Sequence, residues 1–183
     1  IQQRALSITT QAASRVYGAS NPAFTPVFNG FASSEGPGDL DLPPSLTSTA
    51  TPASPVALYS IQVFGASDIN YAITHANSEL SVLKVPLTLT AENKGKDFGE
   101  SNPPLTVKYF GFVNGDDSFS LDTPVTLATT AVQNSPTGSY PINASGAVDH
   151  NYAITHLDGT LTIGTSILRI RANNAARLYG AAN

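Results

Sequence analysis

Two histidines stand at matching places 81 residues apart, His75 and His156, each closing the hexapeptide Asn-Tyr-Ala-Ile-Thr-His. Paired imidazoles could ligate a metal or share acid–base work. Their setting argues otherwise. In the alternation Tyr-x-Ile-x-His they share a strand face with Tyr71 and Ile73, or with Tyr152 and Ile154, so they read as histidines packed on an apolar face. His150 is isolated beside Asn151. No serine lies in a Gly-x-Ser-x-Gly setting. Cysteine is absent, which removes a thiol nucleophile, thiolate zinc sites and a disulfide framework together. The expectation is a protein that is not an enzyme and carries no cofactor.

Two further groups could bind rather than react. Asp116, Asp117, Ser118, Ser120 and Asp122 place oxygen ligands along one loop, as calcium sites do. No EF-hand or glycine-rich nonapeptide pattern accompanies them, and the matching stretch with Glu35, Asp39 and Asp41 changes the spacing. Solvated turn residues are the better reading, with weak calcium binding as the alternative. The aromatics Tyr17, Phe28, Phe31, Tyr59 and Tyr71, with their partners 81 residues on, could form a sugar-stacking platform. They recur at strand positions in a chain with no Trp or Met to fill a core, so they read as core.

What positions these residues is a repeat. An aromatic-Gly-x-x-Asn-Pro stretch occurs as Tyr17-Gly18-Ala19-Ser20-Asn21-Pro22 and as Phe98-Gly99-Glu100-Ser101-Asn102-Pro103, and a third copy begins at Tyr179. Two complete units and the opening of a third fill the 183 residues. In each copy the aromatic is expected to pack, Gly to permit a turn, and Asn-Pro to set the start of the next strand. Alternation of apolar with polar residues marks a first strand in each unit at Leu6-Ser7-Ile8-Thr9, Leu87-Thr88-Leu89-Thr90 and Leu168-Arg169-Ile170-Arg171. A second strand is expected over Phe24–Phe31 and Leu105–Phe112, with Gly30 and Gly111 marking a bulge or bend.

Later in the unit, Val125–Ala131 reads as a strand. Pro141 points to a sheet edge or a strand end at Tyr140-Pro141-Ile142. The repeated Asn70-Tyr71 and Asn151-Tyr152 strands lead into a hairpin, most clearly at Asp158-Gly159. Apolar spacing of three and four is never sustained, so little or no helix is expected beyond a short turn before Pro43 or Pro124. Only four residues separate the last strand of one unit from the first of the next, so adjacent units should be semi-rigidly coupled.

Composition bounds the setting. Charged residues make up 12% against a usual figure of roughly 25%, and the surface is rich in Thr, Ser and Asn. Nine Lys plus Arg and a net charge of −4 leave no footprint for nucleic acid. No apolar run approaches the roughly 18–20 residues of a membrane span, so no membrane insertion is expected. Each unit is small enough to bury only roughly 60–65% of its unfolded surface, which makes contact with neighbouring units matter. Without an initiating Met or a signal peptide, the chain reads as an internal piece of a longer exported protein, and its lack of cysteine suits a bacterial one.

With these motifs in order and in register, the chain resembles the MBG (mostly beta-grasp) repeat family of bacterial surface proteins. The matching pieces of the second unit are Phe98–Pro103, Tyr109–Asp116, Gly138–Ile142, Asn151–Ile154 and Gly159–Ile163. The resemblance implies a mainly β chain of two tandem β-grasp-like domains in an elongated array: residues 1–5 end a preceding segment, 6–85 and 86–166 are the repeats, and 167–183 start a third. It implies a non-catalytic stalk or spacer of an extracellular, cell-surface adhesin, partnered by neighbouring repeats and, through other domains, by a host glycan or protein. Direct glycan or protein binding by the repeats is the alternative. The tail 168–183 is expected to be held against the second unit or a neighbouring molecule as an added edge strand.

Overall fold

The computed structural model describes residues 2–171 and residue 179. Repeat 1 runs through β1 (Arg4–Thr10), β2 (Ala13–Val16), β3 (Pro26–Asn29), a single 3-10 turn at Pro37–Asp39, β4 (Ser45–Thr47), β5 (Ala57–Phe64), β6 (Tyr71–His75) and β7 (Ser78–Leu83). Repeat 2 follows with β8 (Val85–Ala91), β9 (Lys94–Asp97), β10 (Val107–Phe110), β11 (Thr126–Ala128), β12 (Gly138–Ser145), β13 (Tyr152–Leu157) and β14 (Gly159–Gly164). The described residues include no α-helix. The fold is mainly β in two tandem repeats of the same topology.

Each repeat holds two small mixed sheets. In the first, β1 lies centrally, antiparallel to β3 and parallel to β6. In the second, β5 is antiparallel to both β4 and β7, and β7 is parallel to β2. Repeat 2 repeats both sheets in the orders β10-β8-β13 and β11-β12-β14-β9. Alternation drives this arrangement: Leu6 and Ile8 of β1, Ile61 and Val63 of β5, and Leu80 and Val82 of β7 are buried while their neighbours face outward. The core of repeat 1 is correspondingly divided, with Leu6, Ile8, Leu40, Val63 and Tyr71 in one cluster and Ala50, Ile61 and Leu80 in the other.

Several sequence expectations are corrected. The first strand begins at Arg4, taking in two residues assigned to a preceding segment. The polar stretch after it is itself a strand, β2 or β9, whose buried side chain is Arg15 or Lys96 instead of a hydrophobe. Next, the strands expected over Phe24–Phe31 and Leu105–Phe112 shrink to β3 and β10, and Gly30 and Gly111 bend the chain at their ends with φ of +123° and +119°. The strand expected over Val125–Ala131 is confined to β11. Pro141 lies inside β12 and not at a strand end, but on an edge as the alternative had it, since β11 reaches only Asn143–Ser145 and leaves that flank unpaired.

The hairpin at Asp158-Gly159 does not form. β13 pairs with β8 and β14 with β12 and β9, so the chain passes there from one sheet to the other. Gly159 is required by close approach: a Cβ on it would stand 2.5 Å from the Ala91 carbonyl oxygen. Asp158 accepts a hydrogen bond from the Ala144 amide at 2.9 Å and ties the crossing to β12.

Residues 167–171 form no strand, and Ile167, Leu168 and Ile170 are exposed. The equivalent strands β1 and β8 lie between partners from their own repeats, which no described residue supplies to Leu168–Arg171. Ser166 Oγ donates to the Phe98 carbonyl just before. Apart from Tyr179, the third motif copy lies outside the described residues.

The crossing makes a direct test. Gly159→Ala should lower unfolding free energy by about 1–3 kcal/mol in urea, whereas Gly38→Ala, which has open space around it, should stay within about 0.5 kcal/mol.

Candidate functional site

The residues common to both repeats converge at the joint between them. β7 ends at Leu83, β8 starts at Val85, and Lys84 alone lies between, its Nζ donating to the Asp149 carbonyl at 2.8 Å. Across this joint repeat 1 contributes the aromatic-glycine corner, and repeat 2 receives it on the start of β13.

The receiving side is organised by Tyr152. Its buried ring packs edge-on against Phe112 at 5.4 Å and against Tyr17 of repeat 1 at 5.8 Å. The phenol accepts the Val113 amide at 3.1 Å and donates to Asp116 Oδ2 at 2.7 Å. Burial first of all, with the Asp116 carboxylate adding to it against the Val113 amide, holds the phenol above its ordinary pKa of 10. Around this ring, Asn151 Oδ1 accepts the Val56 amide at 3.0 Å, His150 Nε2 meets the Val56 carbonyl at 2.8 Å, and Asn114 Nδ2 donates to the Pro52 carbonyl at 3.1 Å. Tyr17, Val82, Leu87, Leu89, Leu121, Ala147 and Tyr152 thus form one hydrophobic cluster drawn from both repeats.

The presenting side is the corner itself. Gly18 has φ of +85°, donates its amide to the Pro52 carbonyl at 3.1 Å, and lies so close to Val113 that a Cβ would stand 2.6 Å from Cγ2. Arg15 Nε donates to Asn21 Oδ1 at 2.7 Å, and Asn21 Nδ2 donates to the Ala50 carbonyl at 2.7 Å. The Asn of the motif is therefore a clamp on the loop that carries Pro52, and Pro22 follows it outside any strand. Asn102 repeats the clamp on Ala131 at 2.6 Å ahead of Pro103, while Lys96 Nζ is held by the Glu100 and Val132 carbonyls, both at 2.8 Å.

Tyr17 is 7% exposed and its equivalent Phe98 is 47% exposed. The aromatic of this motif therefore packs on the next repeat instead of in its own core, and Phe98, with no repeat against it among the described residues, is not buried. The difference is about 40% of a side chain of roughly 200 Å². At about 25 cal/mol per Å² that is about 2 kcal/mol.

The other sequence candidates separate. His75 is exposed at the end of β6, so it does not pack as expected; His156 is half-buried and its Nε2 has no hydrogen-bond partner among the described residues. His150, isolated in the sequence, is the histidine that reaches across the joint. In the acidic loop, Asp116 faces Tyr152, Asp117 accepts the Phe119 amide at 2.8 Å, and Asp122 accepts the His150 amide at 2.8 Å. These carboxylates serve separate local donors, and among the described residues no three His, Asp or Glu side chains are grouped to hold a metal. Phe28 and Phe31 stack at 5.4 Å against Tyr71 as Tyr109 and Phe112 do against Tyr152, so this part of the aromatic set is core.

Two outcomes follow from the joint. Gly18→Ala and Gly99→Ala share a left-handed backbone strain of about 1–2 kcal/mol; only Gly18→Ala meets Val113 and should lose about 1–3 kcal/mol more. Equal losses in urea unfolding would show the repeats undocked. Unfolded Tyr152 ionises near pH 10 and the folded phenol above it, so its share of stability is complete below pH 10 and lost as pH rises past it. The melting temperature of the unsubstituted protein should fall more steeply above pH 10 than that of Tyr152→Phe; parallel curves would refute the assignment.

A comparison with curated proteins gives no match. Residues 6–81 and again 87–162 match the MBG domain (YGX type). Tyr17-Gly18 and Phe98-Gly99, the corner that repeat 1 inserts and the one that repeat 2 presents, both lie in the matched spans. With most of its length in these two matches, the chain belongs to the MBG domain family of the YGX type, as two tandem repeats.

Proposed function

We propose that the chain is a non-catalytic spacer, a stalk segment that extends an exported bacterial surface protein and holds an adhesive part away from the cell. The observation that carries this reading is the joint. A linker of one residue, a hydrophobic cluster drawn from both repeats and four hydrogen bonds across it, from Lys84, His150, Asn114 and the Val56 amide, leave the repeats little freedom to swing. Chemistry at the repeated positions of the motif supports the same reading, because Tyr17, Gly18, Asn21, Asn151 and Tyr152 are all spent on docking or on shaping the docking parts. Low charge and a hydroxyl-rich surface suit an extracellular setting.

In this mechanism a pull or a push on one repeat passes directly to the next, and reach grows with repeat number without a flexible hinge. Residual dipolar couplings measured on the whole chain should fit both repeats with one alignment tensor. Two independent tensors, or a saturable micromolar interaction of the chain on a glycan array, would displace the spacer reading.

A further inference from the structure

We infer that the open face of repeat 1 around Asn70 and Tyr71 is a docking site for the aromatic-glycine corner of a further repeat placed ahead of Arg4. The inference rests on the spacer reading and deepens it by naming the partner and the contacts. Repeat 1 holds the tyrosine-centred part of the frame that receives the corner in repeat 2, with Ser33 standing where Asn114 reaches Pro52. The Tyr71 phenol accepts the Ala32 amide at 3.0 Å and donates to Glu35, as Tyr152 does to Val113 and Asp116. Phe31 packs edge-on against Tyr71 at 5.6 Å and 85°, as Phe112 does against Tyr152 at 5.4 Å and 84°. The Asn70 amide is fixed by Asp68 Oδ1 at 2.7 Å, and that of Asn151 by Asp149 Oδ1 at 2.6 Å.

What differs is occupancy. Asn151 is half-buried with its Oδ1 bonded across the joint, whereas Asn70 is exposed and Ile69 is 78% exposed. A shallow cavity of about 240 Å³ is lined by Gln2, Gln3, Ile69 and Asn70, the last two being the counterparts of the His150 and Asn151 that hold Val56 on repeat 2. The far end of repeat 2 carries the complementary half: Phe98 is exposed, and among the described residues nothing fills the space around Gly99 that Val113 fills beside Gly18. The two faces of a repeat are thus unlike and pair head to tail, an arrangement that extends without closing.

The residues that change between the two receiving faces define the partner. Ile69 replaces His150, so the carbonyl that meets His150 on repeat 2 has no ring nitrogen to meet on repeat 1, and an apolar side chain suits that place. Ala32 replaces Val113, yet glycine is still required at the corner, because Val113 Cβ itself lies 2.8 Å from a Cβ built on Gly18. The partner is therefore a repeat that presents an aromatic-glycine turn and a free backbone N–H for Asn70 Oδ1.

The test lengthens the whole chain with a second copy of residues 4–84 ahead of Arg4, its Lys84 taking the place of Gln3. Hydrogen exchange is then followed by NMR at the two Val56 amides with the added copy labelled separately. The added Val56 amide should exchange as slowly as the original one; Asn70→Ala should speed it about tenfold and leave the original unchanged, with Asn151→Ala doing the reverse. An added amide that exchanges freely and ignores Asn70→Ala overturns the inference alone. If the original amide also ignores Asn151→Ala, the joint and the spacer reading fall with it.

Discussion

The Tyr152 side chain is the constraint on which the rest of this structure depends. A phenol sunk in an apolar cluster must satisfy both its donor and its acceptor, since leaving either unmade costs about 1–3 kcal/mol. Val113 and Asp116 meet that need from one loop, which fixes where the loop stands, and the loop in turn places Val113 against Gly18 and Asn114 against Pro52. One hydrogen-bonded ring therefore positions the receiving surface, and the edge of the same ring receives Tyr17.

Small β repeats of this kind gain from such a partner. Repeat 1 divides its core into a cluster of five buried residues and one of three. Neither is large, and a domain of this size leaves much of its apolar surface exposed. At the joint the corresponding cluster of repeat 2 takes in Tyr17 and Val82 from its neighbour. Docking is thus part of the core and not an addition to it, which couples the stability of each repeat to the one beside it.

The repeat, the strand pattern and the family were legible in the sequence because each rests on local signals: a period of two wherever one face is buried, and a fixed interval between identical motifs. Leu6-Ile8 and Leu87-Leu89 carry that signal plainly. The strands β2 and β9 do not, since their inward side chain is a cation bonded to carbonyls that the folded loops supply, Thr51 for Arg15 and Glu100 and Val132 for Lys96. Asp158-Gly159 has the composition of a tight turn, yet its glycine answers to the Ala91 backbone, a neighbour 68 positions earlier in the chain. Tyr17 and Phe98 are both aromatics at the same motif position, and their burial follows whether a repeat lies against them, which no local pattern can encode. His150 had no local signal at all, because its partner is the main chain of residue 56.

The pairing of strands within each repeat also sets how a pull on its ends would be carried. The chain enters repeat 1 at the start of β1 and leaves it at the end of β7, and each of these terminal strands is paired in parallel with an internal one, β1 with β6 and β7 with β2. Tension between those two ends would draw each terminal strand lengthwise along its internal partner, loading the hydrogen bonds of the ladder together instead of one at a time like a zipper.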